Sequence, residues 1–186
     1  TIDFLTANGY KMVGMDHFAK PEDELFKAIE KGELHRNFQG YTTKGGADLI
    51  GVGLTSIGEG IDSYNQNFKT MNEYEEAIDA GKLPFERGVV LSEDDLIRQF
   101  VIMEFMSNFK LDIKRFEKLF SIDFKTYFAD AIAELEPFAK EELLTMDDAH
   151  IVCSETGSLL IRNIAMAFDA YMHKHSANKK TFSKTV

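Results

Sequence analysis

The sequence predicts an α/β segment over residues 1–90, followed by a mainly α, winged-helix-like domain over residues 91–186. Glycines bound an apolar run at 47–57, which is typical of a buried strand. Between two helical stretches of the second half, the runs 143–146 and 150–153 predict a β-ribbon. One apolar helix face is predicted from the three- to four-residue spacing of Phe124, Phe128, Ile132 and Leu135.

Two strands and two helices are predicted in the first half, around one ordered loop. Pro21 and the acidic turn Glu22–Glu24 suit a helix start, and Gly32 suits its end. Thr70 and Glu73 have the spacing of a capping box. The predicted elements are a strand at 10–15, a helix from 21 to 31, a loop at 33–44, a buried strand at 47–57 and a helix from 70 to 81.

Helices dominate the second half. Ser92–Asp95 is an acidic cap before a strongly apolar stretch, and the order helix–helix–helix–ribbon–helix is the one expected of a winged-helix-like module. The predicted elements are helices at 96–106, around 116–120 and at 124–135, a ribbon at 143–153, and a last helix carrying Leu160, Ile164, Phe168 and Met172 that gives way to a basic tail from Lys174.

Composition and charge exclude several classes of protein. The chain is 44% apolar and 28% charged, which is a globular composition. Its formal net charge of −10 argues against an electrostatic nucleic-acid binder and against an anionic membrane surface. No run approaches the length of a membrane span, and nothing resembles a targeting segment. We therefore expect neither nucleic acid nor membrane among the partners.

A single cysteine, Cys153, limits the metal chemistry of the chain. One thiol cannot build a disulfide framework or a cysteine-only cluster. On a ribbon strand it is expected to be a small buried apolar residue. The chain also starts at Thr1, inside an apparent helix end, and we expect a fragment or a processed chain.

Three short motifs resemble known sites but fail on geometry. Gly51 and Gly53 suggest a dinucleotide fingerprint, yet the third glycine position is Ser56 and no helix follows, so close backbone approach is the preferred interpretation. Residues 43–46 lack the spacing of a phosphate loop. Asp16 and His17 are adjacent on a predicted strand and should point to opposite faces, so the pair is interpreted as coincidental.

The loop 33–44 has the composition most typical of a functional site. It collects side chains that can bind carboxylates, amides or adenine without any periodic core pattern. A well-packed connecting loop is the alternative, and the residues alone leave both interpretations open. These side chains are His35, Arg36, Asn37, Phe38, Gln39 and Tyr41.

Five strings of the chain are long and specific enough to identify a family. They are MDHFAKPEDEL at 15–25, HRNFQGYTT at 35–43, DLIGVG at 48–53, LLIRNI at 159–164 and FDAY at 168–171. These strings resemble the family of oxygen-independent coproporphyrinogen III oxidases (dehydrogenases), and the similarity extends over nearly the whole sequence.

The resemblance implies a radical S-adenosylmethionine enzyme of anaerobic, cytoplasmic haem biosynthesis. The family uses S-adenosylmethionine and a [4Fe–4S] cluster to convert two propionates of coproporphyrinogen III to vinyl groups, which gives protoporphyrinogen IX. Residues 1–90 would then be the end of a partial β/α barrel with the active-site loop 33–44. The implied partners are coproporphyrinogen III, an electron donor and an electron acceptor, and a monomer is expected.

The chain departs from the family at the cluster. The family holds its cluster with three cysteines in its first half, and Cys153 lies outside any such motif. We therefore expect a C-terminal portion that needs the missing N-terminal half of its own chain, and that alone binds no cluster and is inactive.

Four residues carry the functional expectations. By resemblance, Ile57 occupies a position that contacts S-adenosylmethionine, and Phe38 and Gln39 line the same cavity through packing and amide hydrogen bonding. Arg36 is suggested as a partner of a substrate propionate, because guanidinium binds carboxylate bidentately. No catalytic or metal-binding residue is expected in this chain.

Two alternatives remain open at this point. A haem-chaperone relative shares the superfamily, but its loop differs from Arg36–Thr43, which favours the oxidase. A free-standing acidic winged-helix interaction module is the second alternative, and it would have no catalytic half upstream.

Overall fold

The computed structural model of the chain describes the backbone of residues 1–175 and the side chains of residues 1–172. Side chains of the basic tail predicted from Lys174 lie outside the described residues. The elements of the first half are α1 Ile2–Ala7, β1 Lys11–Gly14, β2 His17–Ala19, α2 Glu24–Lys31, β3 His35–Asn37, β4 Gly40–Thr42, β5 Ile57–Glu59, β6 Ser63–Asn67, α3 Met71–Asp79 and β7 Phe85–Val90.

These strands form two hairpins, β1–β2 and β3–β4, and one three-stranded sheet in the order β5-β6-β7. Every pairing among the described strands is antiparallel, and they close no barrel. The partial β/α barrel therefore stays a prediction. What the structure supports is a mixed arrangement of short helices and antiparallel sheets.

Helix α2 begins at Glu24, three residues after the predicted start, and ends at Lys31 as predicted. The Asp23 carboxylate accepts a hydrogen bond from the Leu25 backbone N–H at 2.8 Å, which satisfies a free donor of the first turn. At the other end Gly32 adopts φ 70°, a left-handed conformation that costs glycine little. Both ends of the predicted helix are confirmed to within three residues.

The loop predicted at 33–44 is wrong, because strands β3 and β4 pair there as a hairpin. Phe38 and Gln39 form its two-residue turn. The Asn37 side chain accepts hydrogen bonds from the backbone N–H groups of Gln39 and Gly40, at 2.8 and 3.2 Å. Two-residue hairpin turns are usually marked by Asn-Gly within the turn, whereas here Asn37, just before the turn, stabilises it through its side chain.

The buried strand predicted at 47–57 is also wrong. Ile50 and Val52 are each 83% exposed. Within 47–56 the backbone makes one isolated β-bridge, between Leu49 and Glu59, and strand β5 begins only at Ile57. The Asn67 side-chain amide donates hydrogen bonds to the carbonyls of Gly51 and Gly53, at 3.2 and 2.8 Å. Those carbonyls therefore bond to a side chain instead of a neighbouring strand, and the segment turns.

The second half comprises helices around one small sheet. Strands β9 and β10 form the predicted ribbon, and β8 adds an unpredicted third strand in the order β8-β10-β9. The predicted third helix splits at Phe128, and the predicted last helix splits into three. The elements are α4 Glu93–Asn108, β8 Lys110–Asp112, α5 Ile113–Phe120, α6 Phe124–Tyr127, α7 Ala129–Lys140, β9 Leu144–Met146, β10 His150–Cys153, α8 Glu155–Leu159, α9 Ile161–Met166 and α10 Ala170–His175.

A cluster of phenylalanines forms the main core. The rings of Phe116 and Phe124 meet edge-on at 5.2 Å, and Phe168 stacks on Phe105 at 5.4 Å. Such pairs stabilise beyond the burial of their area. The fully buried aromatic residues are Phe105, Phe116, Phe124, Phe128 and Phe168.

A smaller core lies in the first half, around Val13, Ala28 and Leu34.

The division of the chain into domains at residue 90 stays a prediction. Among the described residues, no helix is both long and apolar enough to cross a membrane.

Helix α4 connects the two halves. Its N-terminus carries a reciprocal capping box between Ser92 and Asp95, as the acidic cap predicted. Near its other end, the Met106 carbonyl accepts a hydrogen bond from the Tyr41 hydroxyl at 3.1 Å, and the Asn108 amide donates to the Leu34 carbonyl at 3.5 Å. The hairpin β3–β4 is therefore tied to α4 at two points.

Replacing Leu135 with alanine should destabilise the full chain by about 2–5 kcal/mol, because this fully buried side chain leaves a cavity in the phenylalanine core. Urea unfolding followed by circular dichroism measures the loss. Leu119→Ala is the matched control, since Leu119 is 59% exposed, and it should change stability by less than about 0.5 kcal/mol. Equal losses in the two variants would contradict the assignment of the core.

Candidate functional site

One face of the sheet β5-β6-β7 carries a mixed apolar and polar group of side chains. Ile57 lies opposite Gln66, and Glu59 lies opposite Tyr64. Residues two apart on a strand share a face, and so do directly paired residues of neighbouring strands. Ile57, Glu59, Tyr64 and Gln66 therefore project from the same side, which we call the Ile57 face.

Phe38 reaches the Ile57 face from the turn of the β3–β4 hairpin. Its ring meets the Tyr64 ring edge-on, with centroids 5.2 Å apart and planes at 82°. The Phe38 side chain is nevertheless 56% exposed. The structure thus brings Phe38 to a residue on the same face as Ile57 and leaves part of the ring free for a ligand.

Gln39 follows Phe38 at the tip of the turn, and its side chain is exposed. Its backbone N–H donates a hydrogen bond to the side-chain oxygen of Asn37 at 2.8 Å. This bond holds the turn in place although the side chains at its tip are exposed. The structure therefore places the predicted amide next to the predicted aromatic residue.

Arg36 lies apart from this group. On β3 it pairs with Tyr41 of β4, and its guanidinium carbon is 5.8 Å from the centre of the Tyr41 ring. The Tyr41 ring also meets His17 edge-on at 5.0 Å. The Arg36 Nε is buried and has no hydrogen-bond acceptor among the described residues. A buried guanidinium donor without an acceptor is free to bind an oxygen anion.

The expectation that the Asp16 and His17 side chains point to opposite faces is wrong. His17 Nδ1 lies 2.8 Å from a carboxylate oxygen of Asp16. Met15 adopts φ 49°, so Asp16 lies in the turn before β2 rather than on a strand, and the alternation of strand faces does not separate the two side chains. Both are substantially exposed, and an exposed ion pair contributes little stability.

Sequence reasoning missed Tyr64, Glu59 and Gln99. The Tyr64 hydroxyl donates to Glu59 Oε1 at 3.4 Å, and the Gln99 side-chain amide of α4 donates to the Tyr64 hydroxyl. Strand β6 is rich in asparagine and glutamine, so no apolar alternation marked it as a strand. The pairing with Gln99, which lies far along the chain, had no local signal.

Burial controls the electrostatics of this group. Desolvation raises the pKa of Glu59, and the hydrogen bond from Tyr64 opposes that rise. Desolvation and the nearby Glu59 charge raise the pKa of Tyr64 to about 12, so the phenol keeps its proton. The second oxygen of Glu59, Oε2, is buried without a hydrogen-bond partner among the described residues.

The described residues offer no site for an iron–sulfur cluster. Burial raises the pKa of the half-buried Cys153 thiol to about 12, so the thiolate form that ligates iron is disfavoured. No group of three or more histidine, cysteine, aspartate or glutamate side chains within residues 1–172 is arranged to hold a metal ion.

Comparisons with known proteins confirm the family resemblance. Residues 91–160 match the family model of the HemN C-terminal domain. The chain is 50% identical over 185 residues to the oxygen-independent coproporphyrinogen III oxidase of Helicobacter pylori (strain ATCC 700392 / 26695), and 44% identical over 186 residues to that of Escherichia coli (strain K12). Both similarities include 100% of this chain but 40% of the relative.

A solved structure supports the same relationship. Coproporphyrinogen III oxidase (HemN) from Escherichia coli, described as a radical SAM enzyme, has a TM-score of 0.89 and 45% sequence identity to this chain. The match covers 91% of this chain and 39% of that one. The mixed fold of helices and sheets is thereby confirmed, and the chain spans about 40% of the length of the curated relatives it matches.

Glu59→Gln should raise the thermal unfolding midpoint of the full chain more at pH 7.5 than at pH 4. Because the folded state raises the pKa of Glu59, the carboxyl favours folding while it is protonated and loses that contribution as the pH rises through the folded pKa. Glutamine is neutral throughout. Differential scanning calorimetry at the two pH values measures the difference.

Glu75→Gln on exposed α3 is the control. Its change in unfolding midpoint should not be more positive at pH 7.5 than at pH 4. A gain for Glu59→Gln that is no larger at pH 7.5 than at pH 4 would contradict the assignment of a desolvated carboxyl at this position.

Proposed function

We propose that this chain, a relative of the oxygen-independent coproporphyrinogen III oxidases, supplies the C-terminal part of such an enzyme. Its substrate would be coproporphyrinogen III, and its product protoporphyrinogen IX. The observation that carries the proposal is the meeting of Phe38 with Tyr64 on the face that also holds Ile57. Similarity to the named relatives along the whole chain supports it.

In that enzyme, S-adenosylmethionine and a [4Fe–4S] cluster would supply the radical chemistry for the oxidative decarboxylation of the propionates. The chain's own cysteine does not fit the cluster, as its single thiol is half buried with a raised pKa. The cluster ligands would come from the remainder of the longer enzyme. Anaerobic and cytoplasmic operation, the electron donor and acceptor, and the monomeric state remain predictions.

This chain would orient the cofactor through shape. Ile57 and the exposed part of Phe38 would pack against the adenosyl portion, which excludes water from that side. Gln39, at the open tip of the same turn, would hydrogen-bond a polar group of the cofactor. None of these side chains needs to ionise for that task.

Arg36 would bind a propionate of the substrate. Its buried Nε has no acceptor within the described structure, and a carboxylate oxygen would provide one. Packing of the guanidinium near the Tyr41 ring would hold the side chain in place for that contact. The cofactor and substrate roles would then fall on opposite ends of one hairpin, its turn and its strand.

The winged-helix-like description of the second half is part of the same proposal. The order α4–β8–α5–α6–α7–β9–β10, with the sheet order β8-β10-β9, supports it. Because the whole chain has a net charge of −10 and the helices of the module are rich in acidic residues, we assign the module to packing rather than to DNA binding. The relatives reported above are all named as oxidases, so neither the haem-chaperone nor the stand-alone alternative is favoured.

The 186-residue chain, purified and reconstituted anaerobically with iron and sulfide, should bind no [4Fe–4S] cluster. It has one cysteine, and a cluster of this kind needs several thiolates. Iron and sulfide analysis with absorbance near the cluster band provides the measurement, and Cys153→Ala should give the same background. Stoichiometric cluster absorbance that depends on Cys153 would contradict the proposal.

Ile57→Lys and Arg36→Ala should separate cofactor from substrate binding in the complete enzyme. A buried charge against the adenosyl group should raise the KM for S-adenosylmethionine at least about tenfold. Loss of the guanidinium should raise the KM for coproporphyrinogen III by about tenfold. Anaerobic steady-state assays with each substrate varied in turn give both values.

Lys140→Ala serves as the control, because that lysine pairs with Glu136 on the exposed surface of α7 in the second half. Its two KM values should stay within about twofold of the parent. Turnover with Arg36→Ala equal to the parent would remove the role of Arg36, and an unchanged KM for S-adenosylmethionine with Ile57→Lys would remove that of Ile57.

A further inference from the structure

Tyr64 connects three segments that are far apart in the chain. Its ring meets Phe38 of the hairpin turn at 5.2 Å and 82°. Its hydroxyl donates to Glu59 on β5 and accepts from Gln99 on α4. Tyr64 is therefore the point where the hairpin turn, the sheet and the helix of the second half meet.

Both ends of the Tyr64 side chain are restrained. The Gln99 amide nitrogen can only donate, so the phenol proton is directed toward Glu59 Oε1. The raised pKa of the phenol keeps that proton in place. A ring fixed in this way offers its partner one preferred edge-to-face geometry.

Phe38 has few other restraints. It occupies a two-residue turn, and more than half of its side chain is exposed. The one ring contact recorded for it among the described residues is the one with Tyr64. The orientation of the Phe38 ring thus depends on Tyr64.

We propose that Tyr64 is a positioning residue, held by Gln99 and Glu59, that sets the Phe38 ring for packing against the adenosyl part of S-adenosylmethionine. This inference rests on the proposed function, because it uses Phe38 as a cofactor contact. It assigns to the second half an indirect part in cofactor binding, through Gln99 of α4, which holds Tyr64. Tyr64 itself need not touch the cofactor.

The test is a double-mutant cycle on the dissociation constant of S-adenosylmethionine, measured by anaerobic equilibrium dialysis with the complete, cluster-loaded enzyme. Tyr64→Leu should weaken binding about three- to tenfold, the range of one aromatic edge contact. Phe38→Ala should weaken it by at least as much. The double variant should bind no more than about twofold more weakly than Phe38→Ala, because Tyr64 acts through Phe38.

Two further variants distinguish positioning from a general structural role. Tyr64→Phe keeps the ring but loses both hydrogen bonds, and should weaken binding by about two- to threefold, less than Tyr64→Leu and at least as much as Gln99→Leu. Gln99→Leu removes the restraint from α4 without altering the sheet, and should weaken cofactor binding in the parent but not in the Phe38→Ala background. Tyr74→Leu on α3 is the matched control, with an unchanged dissociation constant.

Additive effects of Tyr64→Leu and Phe38→Ala would overturn the inference, as would an effect of Tyr64→Leu no larger than that of Tyr74→Leu. Failure of the proposed function has a different signature. A parent enzyme that binds S-adenosylmethionine but does not convert coproporphyrinogen III would overturn the function while the binding cycle still decides the role of Tyr64. A parent that binds no S-adenosylmethionine would overturn both.

Discussion

Burial of α4 is the constraint on which the rest of the structure depends. One side of this helix inserts Val101 and Phe105 into the phenylalanine core, where both are fully buried. Burial of large apolar side chains is the strongest stabilising contribution available to a domain of this size. Because the core fixes the helix, its remaining polar groups have fixed positions toward the first half. The Met106 carbonyl accepts a hydrogen bond from the Tyr41 hydroxyl, and the Gln99 side-chain amide donates one to the Tyr64 hydroxyl.

This arrangement explains how short, weakly stabilised elements can hold a site. Two- and three-stranded antiparallel sheets have little independent stability, and those of the first half are tied to α4 by side chains rather than by strand pairing. Hydrogen bonds that are individually modest become effective here because their donors and acceptors are held on a rigid helix. The hairpin carrying Arg36 and Phe38 is thus positioned from the second half, although its own residues are mostly local and polar.

Sequence reasoning succeeded where the signal was local. Gly32 and the acidic cap from Ser92 correctly predict a helix end and a helix start, since capping satisfies backbone groups within one turn. The apolar run at 47–57 predicts a buried strand and is wrong, because Ile50 and Val52 are exposed. Apolar character alone does not determine burial; here the distant Asn67 amide binds the carbonyls and turns the chain. The candidate site was partly predictable by resemblance, but Tyr64 and Glu59 were not, because their importance lies in contacts between segments.

The electrostatics of the site point to a contribution through shape rather than through proton transfer. The raised pKa of Tyr64 keeps the phenol neutral near pH 7, and desolvation raises the pKa of Glu59 as well. In a desolvated site, neutral groups cost less to hold in place than charges do. Arg36 is the exception, because a guanidinium stays charged and its buried Nε lacks an acceptor. The Ile57 face and Phe38 suit an uncharged adenosyl group that packs, and Arg36, which lies apart from that face, suits a carboxylate that is bound by charge. The proposed reaction requires both contributions from the chain.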